Sequence, residues 1–218
     1  MKTAIFCDFD GTISRRDIGY NLFHHFSQGR NDELVPLWKK GELTTRECLL
    51  KEAAMVHAHS DEIYRYLDQF ELNRGFEPFV RLCQANSADL AILSDGLDFY
   101  IEYVLKRHRL NHLPLIANAG RLEDNRLIVT FPHDNQSCRR CGSCKGERIR
   151  EYRLRHGEVK AVFVGDGYSD ACGAAEADIV LAKKDLEQYC VIHNIDHIRY
   201  DTFDDVSRFL TERRLLRS

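Results

Sequence analysis

No segment of the chain comes near the ~18 consecutive apolar residues that a membrane-spanning helix needs, so no membrane partner is expected. Positive charge is not in excess. Lys and Arg number 31 against 34 Asp and Glu, for a formal net charge of -3 and a pI of about 6.4. With no basic stripe, no nucleic-acid partner is expected. Met1 and Lys2 lead straight into the first strand-like run without a secretory leader, and a cytoplasmic location is expected. There is no internal repeat and no low-complexity linker. What remains is a globular composition, 44% hydrophobic and 30% charged over 218 residues. That length holds a full core and a small second unit.

The stretch "IFCDFDGTIS" sets Asp8 and Asp10 one residue apart at the end of an apolar run, with Gly11 and Thr12 following. "TAIFC" has too few polar residues for a solvated face and suits a strand covered on both sides. Alternation along a strand would aim Asp8 and Asp10 the same way. Two like charges so close need a cation or a proton between them. Further strand-like runs are "DLAILS" (89–94), "AVFVGD" (161–166) and "DIVLA" (178–182), with helical patterns such as "LDFYIEYVLKRHRL" and "GERIREYRLRHG" between them, the latter closed by Gly157. This alternation predicts an α/β fold with an open parallel-sheet, Rossmann-like core. Such sheets bind ligands beyond the carboxyl ends of their strands, and three of the runs end there in Asp8, Ser94 and Asp166.

Residues 15–74 contain no convincing strand. "DIGYNLFHHF", "TRECLLKEAAMV" and "DEIYRYLDQF" carry apolar residues at helical spacing, and Thr44 with Glu47 has capping-box spacing for a helix starting near Thr45. The expected division is an α/β core of residues 1–14 and 75–218 with an inserted helical cap at 15–74. Its place directly after Asp10 makes the insertion a candidate lid, the alternative being an ordinary helical layer. "LIANAGRLEDNRLIVTF" predicts a hairpin turning at Asp-Asn.

Asp8, Asp10, Thr12, Ser94, Lys145, Asp166 and Asp170 make a set of carboxylates, one lysine and two hydroxyls without clustered histidines. Such donors suit a hard cation such as Mg²⁺ better than zinc. A cation, a lysine and hydroxyls suit a dianionic phosphate, and one carboxylate can attack phosphorus to form an aspartyl-phosphate. The four segments "DFDGT", "ILSDG", Lys145 and "GDGYSD" resemble, in order and spacing, the four motifs of the haloacid dehalogenase superfamily of phosphatases. The helical insertion between the first two resembles its phosphoserine-phosphatase-like branch. The resemblance implies a Mg²⁺-dependent phosphomonoesterase acting on a small phosphorylated metabolite. It implies Asp8 as nucleophile, Asp10 as acid and then base, and Asp8, Asp166 and the Asp10 carbonyl as Mg²⁺ ligands with Asp170 as a further metal partner. Ser94 and Lys145 would bind the phosphoryl oxygens, with Thr12, Asp95 and Gly96 beside them.

"NRLIVTFPHD" followed by "CRRCGSCKGE" resembles the methionine-salvage phosphatases that act on 2-hydroxy-3-keto-5-methylthiopentenyl 1-phosphate. Phosphoethanolamine/phosphocholine phosphatases resemble it as well. Phosphoserine phosphatases carry a cap arginine for the substrate carboxylate; the matching register here holds Glu52, while Asp17 matches the acid that takes the amino group. A cationic or neutral phosphomonoester is therefore expected, with Asp17 and Glu52 at the substrate, and phosphoserine is the alternative. "CRRCGSCK" groups Cys138, Cys141 and Cys144 beside Lys145. With His133 as fourth ligand these could hold a structural Zn²⁺ that stiffens the Lys145 loop; a disulfide or free thiols are the alternatives. Cys7, Cys48, Cys83, Cys172 and Cys190 stand singly and are expected to pack as small apolar residues. A zinc-stabilised nucleic-acid-binding protein is the alternative from another class. Monomer and homodimer are both open.

Overall fold

Strand β1 (Lys2–Cys7) runs through the middle of the molecule because both of its faces are apolar. Ile5 and Cys7 point to one side and Ala4 and Phe6 to the other, all buried. The computed structural model describes residues 2–133 and 135–217. Further strands are β2 (Asp89–Leu97), β3 (Leu115–Glu123), β4 (Arg126–Thr130), β5 (Val159–Gly165), β6 (Ile179–Ala182) and the two-residue β7 (Ile198–Arg199). They form one sheet in the order β4-β3-β2-β1-β5-β6-β7. Neighbours are parallel except β3 and β4, the predicted hairpin. Its turn residues Asp124 and Asn125 both take positive φ, 47° and 62°, as a tight two-residue hairpin turn requires. β1 pairs with β2 on one side and β5 on the other, so connections leave it in opposite directions and a crevice opens at its carboxyl end.

Between β1 and β2 lie α1 (Ile18–Ser27), α2 (Leu34–Lys40), α3 (Thr45–Ala54), α4 (Ser60–Leu67) and α5 (Phe76–Ala85). α3 starts on the predicted capping box, with Thr44 Oγ1 accepting from Glu47 N and Glu47 from Thr44 N. α2 has no legible periodicity because it is short and carries Pro36, tolerated in a first turn whose N–H groups have no helical partner. α6 (Asp98–Arg107) follows β2; α7 (Lys145–His156), α8 (Ala171–Glu176), α9 (Lys184–Ile192) and α10 (Phe203–Glu212) complete the chain. α5, α6 and α10 cover the Ile5/Cys7 face through Phe76, Phe79, Ile101 and Phe203. α7, α8 and α9 cover the Ala4/Phe6 face through Ile149, Ala174 and Leu186. The contacts of helices α1 to α3 with the rest of the chain include Lys39–Asp185 (2.9 Å) and Thr45 N to Arg140 O (2.8 Å) beside their share of the apolar core. No described helix is long and apolar enough to cross a membrane.

Candidate active site

β1 stops at Cys7, and residues 9–13 make a tight turn closed by Ser14 N donating to Phe9 O at 2.9 Å. Asp8 and Asp10 therefore reach the same cleft by way of this turn, not by strand alternation as the spacing suggested. Gly11 is required at its apex: φ is +78°, and a Cβ would collide with the Asp166 carboxylate. Lys145, the first residue of α7 and 1% exposed, donates to Asp8 Oδ1 at 2.5 Å and to Asp170 Oδ1. Asp170 Oδ2 accepts from Asp166 N at 2.8 Å and Gly167 N at 2.9 Å, which shapes the loop after β5. Asp166 accepts from Thr12 Oγ1 at 3.2 Å and from Lys184 Nζ at 2.8 Å. Thr12, expected at the phosphate, thus supports Asp166 from a fully buried position. Oxygens of Asp8, Asp166 and Asp170 lie within 4.8 Å of one another. Burial, then the Asp170 charge, push the Asp8 carboxyl well above its usual range against the pull of Lys145. Burial opposes the Lys145 charge in turn, but Asp170 and Asp8 outweigh it and raise its pKa.

Asp10 is held from two sides. Its Oδ1 accepts from Ile18 N (2.8 Å) and Gly19 N (3.1 Å) at the start of α1, and its Oδ2 from the Tyr100 hydroxyl (2.6 Å). Burial raises its pKa against these bonds. Gly96 has a structural reason: a Cβ there would collide with the Tyr100 hydroxyl and lie 2.8 Å from Asp10 Oδ2. Ser94 is buried, its Oγ accepting from Gly96 N at 3.0 Å.

The cleft, about 510 Å³, opens between this sheet edge and the inserted helices. Asp8, Asp10, Asp17, Glu52, Ser94, Asp95, Gly96 and Asp166 all line it. Phe23, Val35, Trp38 and Leu49 supply an apolar wall. Glu52 is buried on this wall, accepting from Asn31 Nδ2 at 3.4 Å and from the Cys48 thiol, both neutral. Burial raises its pKa from 4.5 to about 7, the two hydrogen bonds opposing. The folded state therefore holds this proton more tightly than the unfolded chain. Below pH 4.5 both states are protonated and nothing is lost; between 4.5 and 7 the unfolded chain ionises first and stability drains away. The full loss, about 3 kcal/mol, is reached above pH 7. Glu52→Gln is thus expected to melt several degrees above wild type at pH 8 and together with it near pH 4. Melting curves at both pH values check this, and a pH-independent difference would refute it.

Asp95 also faces the cleft, but its Oδ1 accepts from Gly142 N (2.8 Å), Ser143 N (2.7 Å) and Asn118 Nδ2 (3.1 Å). It anchors the cysteine loop to β2. Within that loop Cys138, Cys141 and Cys144 are joined by Cys172 of α8, their sulfurs all within 4.8 Å of one another. Two expectations are corrected here. Cys172 is not an isolated packing residue, and His133 is not in the group. The cause is the close passage of α7 and α8, where a Cβ on Gly146 would sit 2.6 Å from Cys172 O. His133 lies apart, hydrogen-bonding the backbone at Ala117. Cys7, Cys48, Cys83 and Cys190 are buried as expected.

Tyr100 and Lys184 are functional candidates that the sequence did not reveal. Tyr100 is camouflaged by the apolar spacing of α6. Lys184 had a signal, since it follows the predicted strand "DIVLA" at the same sheet edge.

A protein-family profile described as "Putative Phosphatase" matches residues 3–202. The chain is 28% identical over 216 residues, 97% of its length and 96% of the relative's, to the 2-hydroxy-3-keto-5-methylthiopentenyl-1-phosphate phosphatase of Brevibacillus brevis. It is 28% identical over 214 residues to the protein of the same name in Bacillus cereus, covering 96% of each. Among solved structures it superposes on a phospho-aspartyl intermediate analogue of phosphoserine phosphatase with a TM-score of 0.73 at 16% identity, covering 95% of this chain and 98% of that one. That likeness is one of fold.

Proposed function

Since the chain belongs to the "Putative Phosphatase" family and is a phosphoric monoester hydrolase of the haloacid dehalogenase superfamily, we propose that it removes phosphate from 2-hydroxy-3-keto-5-methylthiopentenyl 1-phosphate or a closely similar small ester. The observation that carries this is the cleft itself. It joins a carboxylate–lysine centre at one end to an apolar wall of Phe23, Val35, Trp38 and Leu49 at the other. A thioether tail fits such a wall, and Glu52, which burial lets keep its proton in part of the molecules near neutral pH, can then donate to a keto or enediol oxygen.

In the proposed chemistry Asp8 attacks phosphorus, displacing the leaving oxygen as an aspartyl-phosphate forms, and water later cleaves that acyl phosphate. Asp10 gives its proton to the leaving oxygen and then takes one from the water. The start of α1 and Tyr100 aim its carboxyl. Lys145 offsets the charge of Asp8 and contacts the phosphoryl group together with Ser94. The oxygen-only donor set of Asp8 and Asp166 fits Mg²⁺. Both Asp170 oxygens are engaged by Lys145 and backbone N–H groups, which suits Asp170 to orient the other two carboxylates. Bound there, the cation would neutralise charge that the ammonium groups of Lys145, Lys183 and Lys184 cannot, since Asp8, Asp10, Asp166 and Asp170 outnumber them. The helices of residues 15–74 act as the cap that gives the cleft its far wall. The second expected metal, a structural Zn²⁺, belongs to the thiol cluster outside this centre.

Phosphoserine should be a poor substrate, because the cap lysine that lines the cleft, Lys39, is already paired with Asp185, and the substrate carboxylate would be repelled by the ionised forms of Asp17 and Glu52. Comparing kcat/KM for the methionine-salvage ester, phosphoethanolamine and L-phosphoserine on wild type and Glu52→Arg tests this. The ester should lead on wild type, and Glu52→Arg should move preference toward phosphoserine. Phosphoserine leading on wild type would overturn the assignment.

A further inference from the structure

We propose that Cys138, Cys141, Cys144 and Cys172 form a tetrahedral Zn²⁺ site that clamps the loop bearing Lys145 to the loop bearing Asp166 and Asp170. The spacing is that of one small ion. Zinc–thiolate bonds of about 2.3 Å at tetrahedral angles put sulfurs about 3.8 Å apart. The four sulfurs here lie within 4.8 Å of one another. An iron–sulfur cluster would hold them farther apart, because several iron and sulfide ions must fit between the thiolates. Four soft thiolates with no oxygen donor select zinc over Mg²⁺.

The site is built, not a chance gathering of thiols. Cys141 and Cys144 are 5% and 1% exposed. Asn135 accepts from Cys144 N at 2.9 Å and donates to Cys141 O at 2.9 Å and Gly142 O at 3.0 Å. Asp95 takes the next two N–H groups, of Gly142 and Ser143. The cysteine loop is thus held in shape by groups that are not themselves ligands.

The position of the ligands gives the site its consequence. Cys144 immediately precedes Lys145, and Cys172 lies two residues beyond Asp170. Lys145 and Asp170 are ion-paired in the buried centre. A metal joining Cys144 to Cys172 therefore fixes the spacing of the two segments that supply the phosphate lysine and the Asp166–Asp170 loop. This second part rests on the phosphatase assignment of those residues; the metal site itself does not.

The test uses the full-length chain, purified and treated with EDTA sufficient to remove Mg²⁺. Elemental analysis should find one equivalent of zinc retained. Replacement by Co²⁺ should give thiolate-to-metal absorption in the near-ultraviolet and strong bands in the red. Cys172→Ser should lose the zinc, and Cys138→Ser, at the other half-buried ligand, provides the same readout if Cys172→Ser does not fold. At a temperature where the variant is still folded, kcat/KM on p-nitrophenyl phosphate with Mg²⁺ should fall about 10–100-fold, the cost of a slightly misplaced group. Wild type without zinc, or with paired disulfides in this loop, would overturn the site. Zinc lost with kcat/KM unchanged would overturn the clamp. Zinc bound by a wild-type protein that hydrolyses no phosphomonoester would overturn the clamp and the phosphatase assignment but support the metal site.

Discussion

Replacing Asp8 by asparagine is expected to lower kcat by at least about 10⁴-fold, the scale seen when the nucleophile of a covalent catalyst is removed. The melting temperature should stay close to that of wild type. The two outcomes separate because Asp8 has two jobs. As a structural group it is a buried acceptor for Lys145 at 2.5 Å and donates its own N–H to Val164 O at 2.9 Å. An asparagine keeps both bonds, and Lys145 keeps the Asp170 carboxylate as its counter-charge. As the proposed nucleophile Asp8 would have to present an anionic oxygen to phosphorus, which an amide does not. Steady-state rates and thermal melts on the same preparation check this. Near-normal hydrolysis by Asp8→Asn would refute the proposed nucleophile, and a collapse of stability would mean that the fold, not the chemistry, was disturbed.

Asp10→Asn is expected to cost about 10²–10⁴-fold, the usual worth of one general acid–base group, and to cost unequally with the leaving group. An alkoxide leaves badly without a proton, whereas p-nitrophenolate leaves without one. Loss of Asp10 should therefore slow phosphorylation by alkyl phosphates far more than by p-nitrophenyl phosphate. Attack of water on the aspartyl-phosphate loses its base with either ester, so with the aryl ester the covalent intermediate should accumulate. The contacts of Asp10 make this a clean substitution. Ile18 N and Gly19 N donate to Oδ1 and the Tyr100 hydroxyl to Oδ2, and an asparagine oriented with its oxygen toward the α1 amides keeps those two. Pre-steady-state bursts with both esters measure the split, and equal loss on both would contradict the acid–base role.

The sheet edge was legible because its signals are local. β1 is apolar on both faces, Asp8 and Asp10 mark its carboxyl end, and Thr44 with Glu47 marks the start of α3. Those features depend on neighbours within a few residues. What stayed hidden depends on packing between distant segments. Tyr100 sits at helical spacing between Phe99 and Ile101, where a tyrosine looks like core, and only the Gly96 gap lets its hydroxyl reach Asp10. Cys172 stands alone in sequence and joins the other cysteines only because α7 and α8 pass closely at Gly146. The same limit explains Thr12 and Asp95. Their positions in the motifs bring them to the same sheet edge, but which way each side chain turns, toward Asp166 and toward the cysteine loop, is decided by partners 154 and 47 residues away.

The most direct test of the central claim is to catch the covalent intermediate and locate it. Asp10→Asn mixed with p-nitrophenyl phosphate and Mg²⁺, quenched in acid and reduced with borohydride, converts an aspartyl-phosphate to homoserine, which peptide mass spectrometry places on the chain. The proposed mechanism predicts homoserine at position 8, absent when phosphate ester or Mg²⁺ is omitted and absent in Asp8→Asn. Homoserine at another aspartate, or turnover by the wild-type enzyme with no acyl phosphate trapped on any carboxylate, would contradict it.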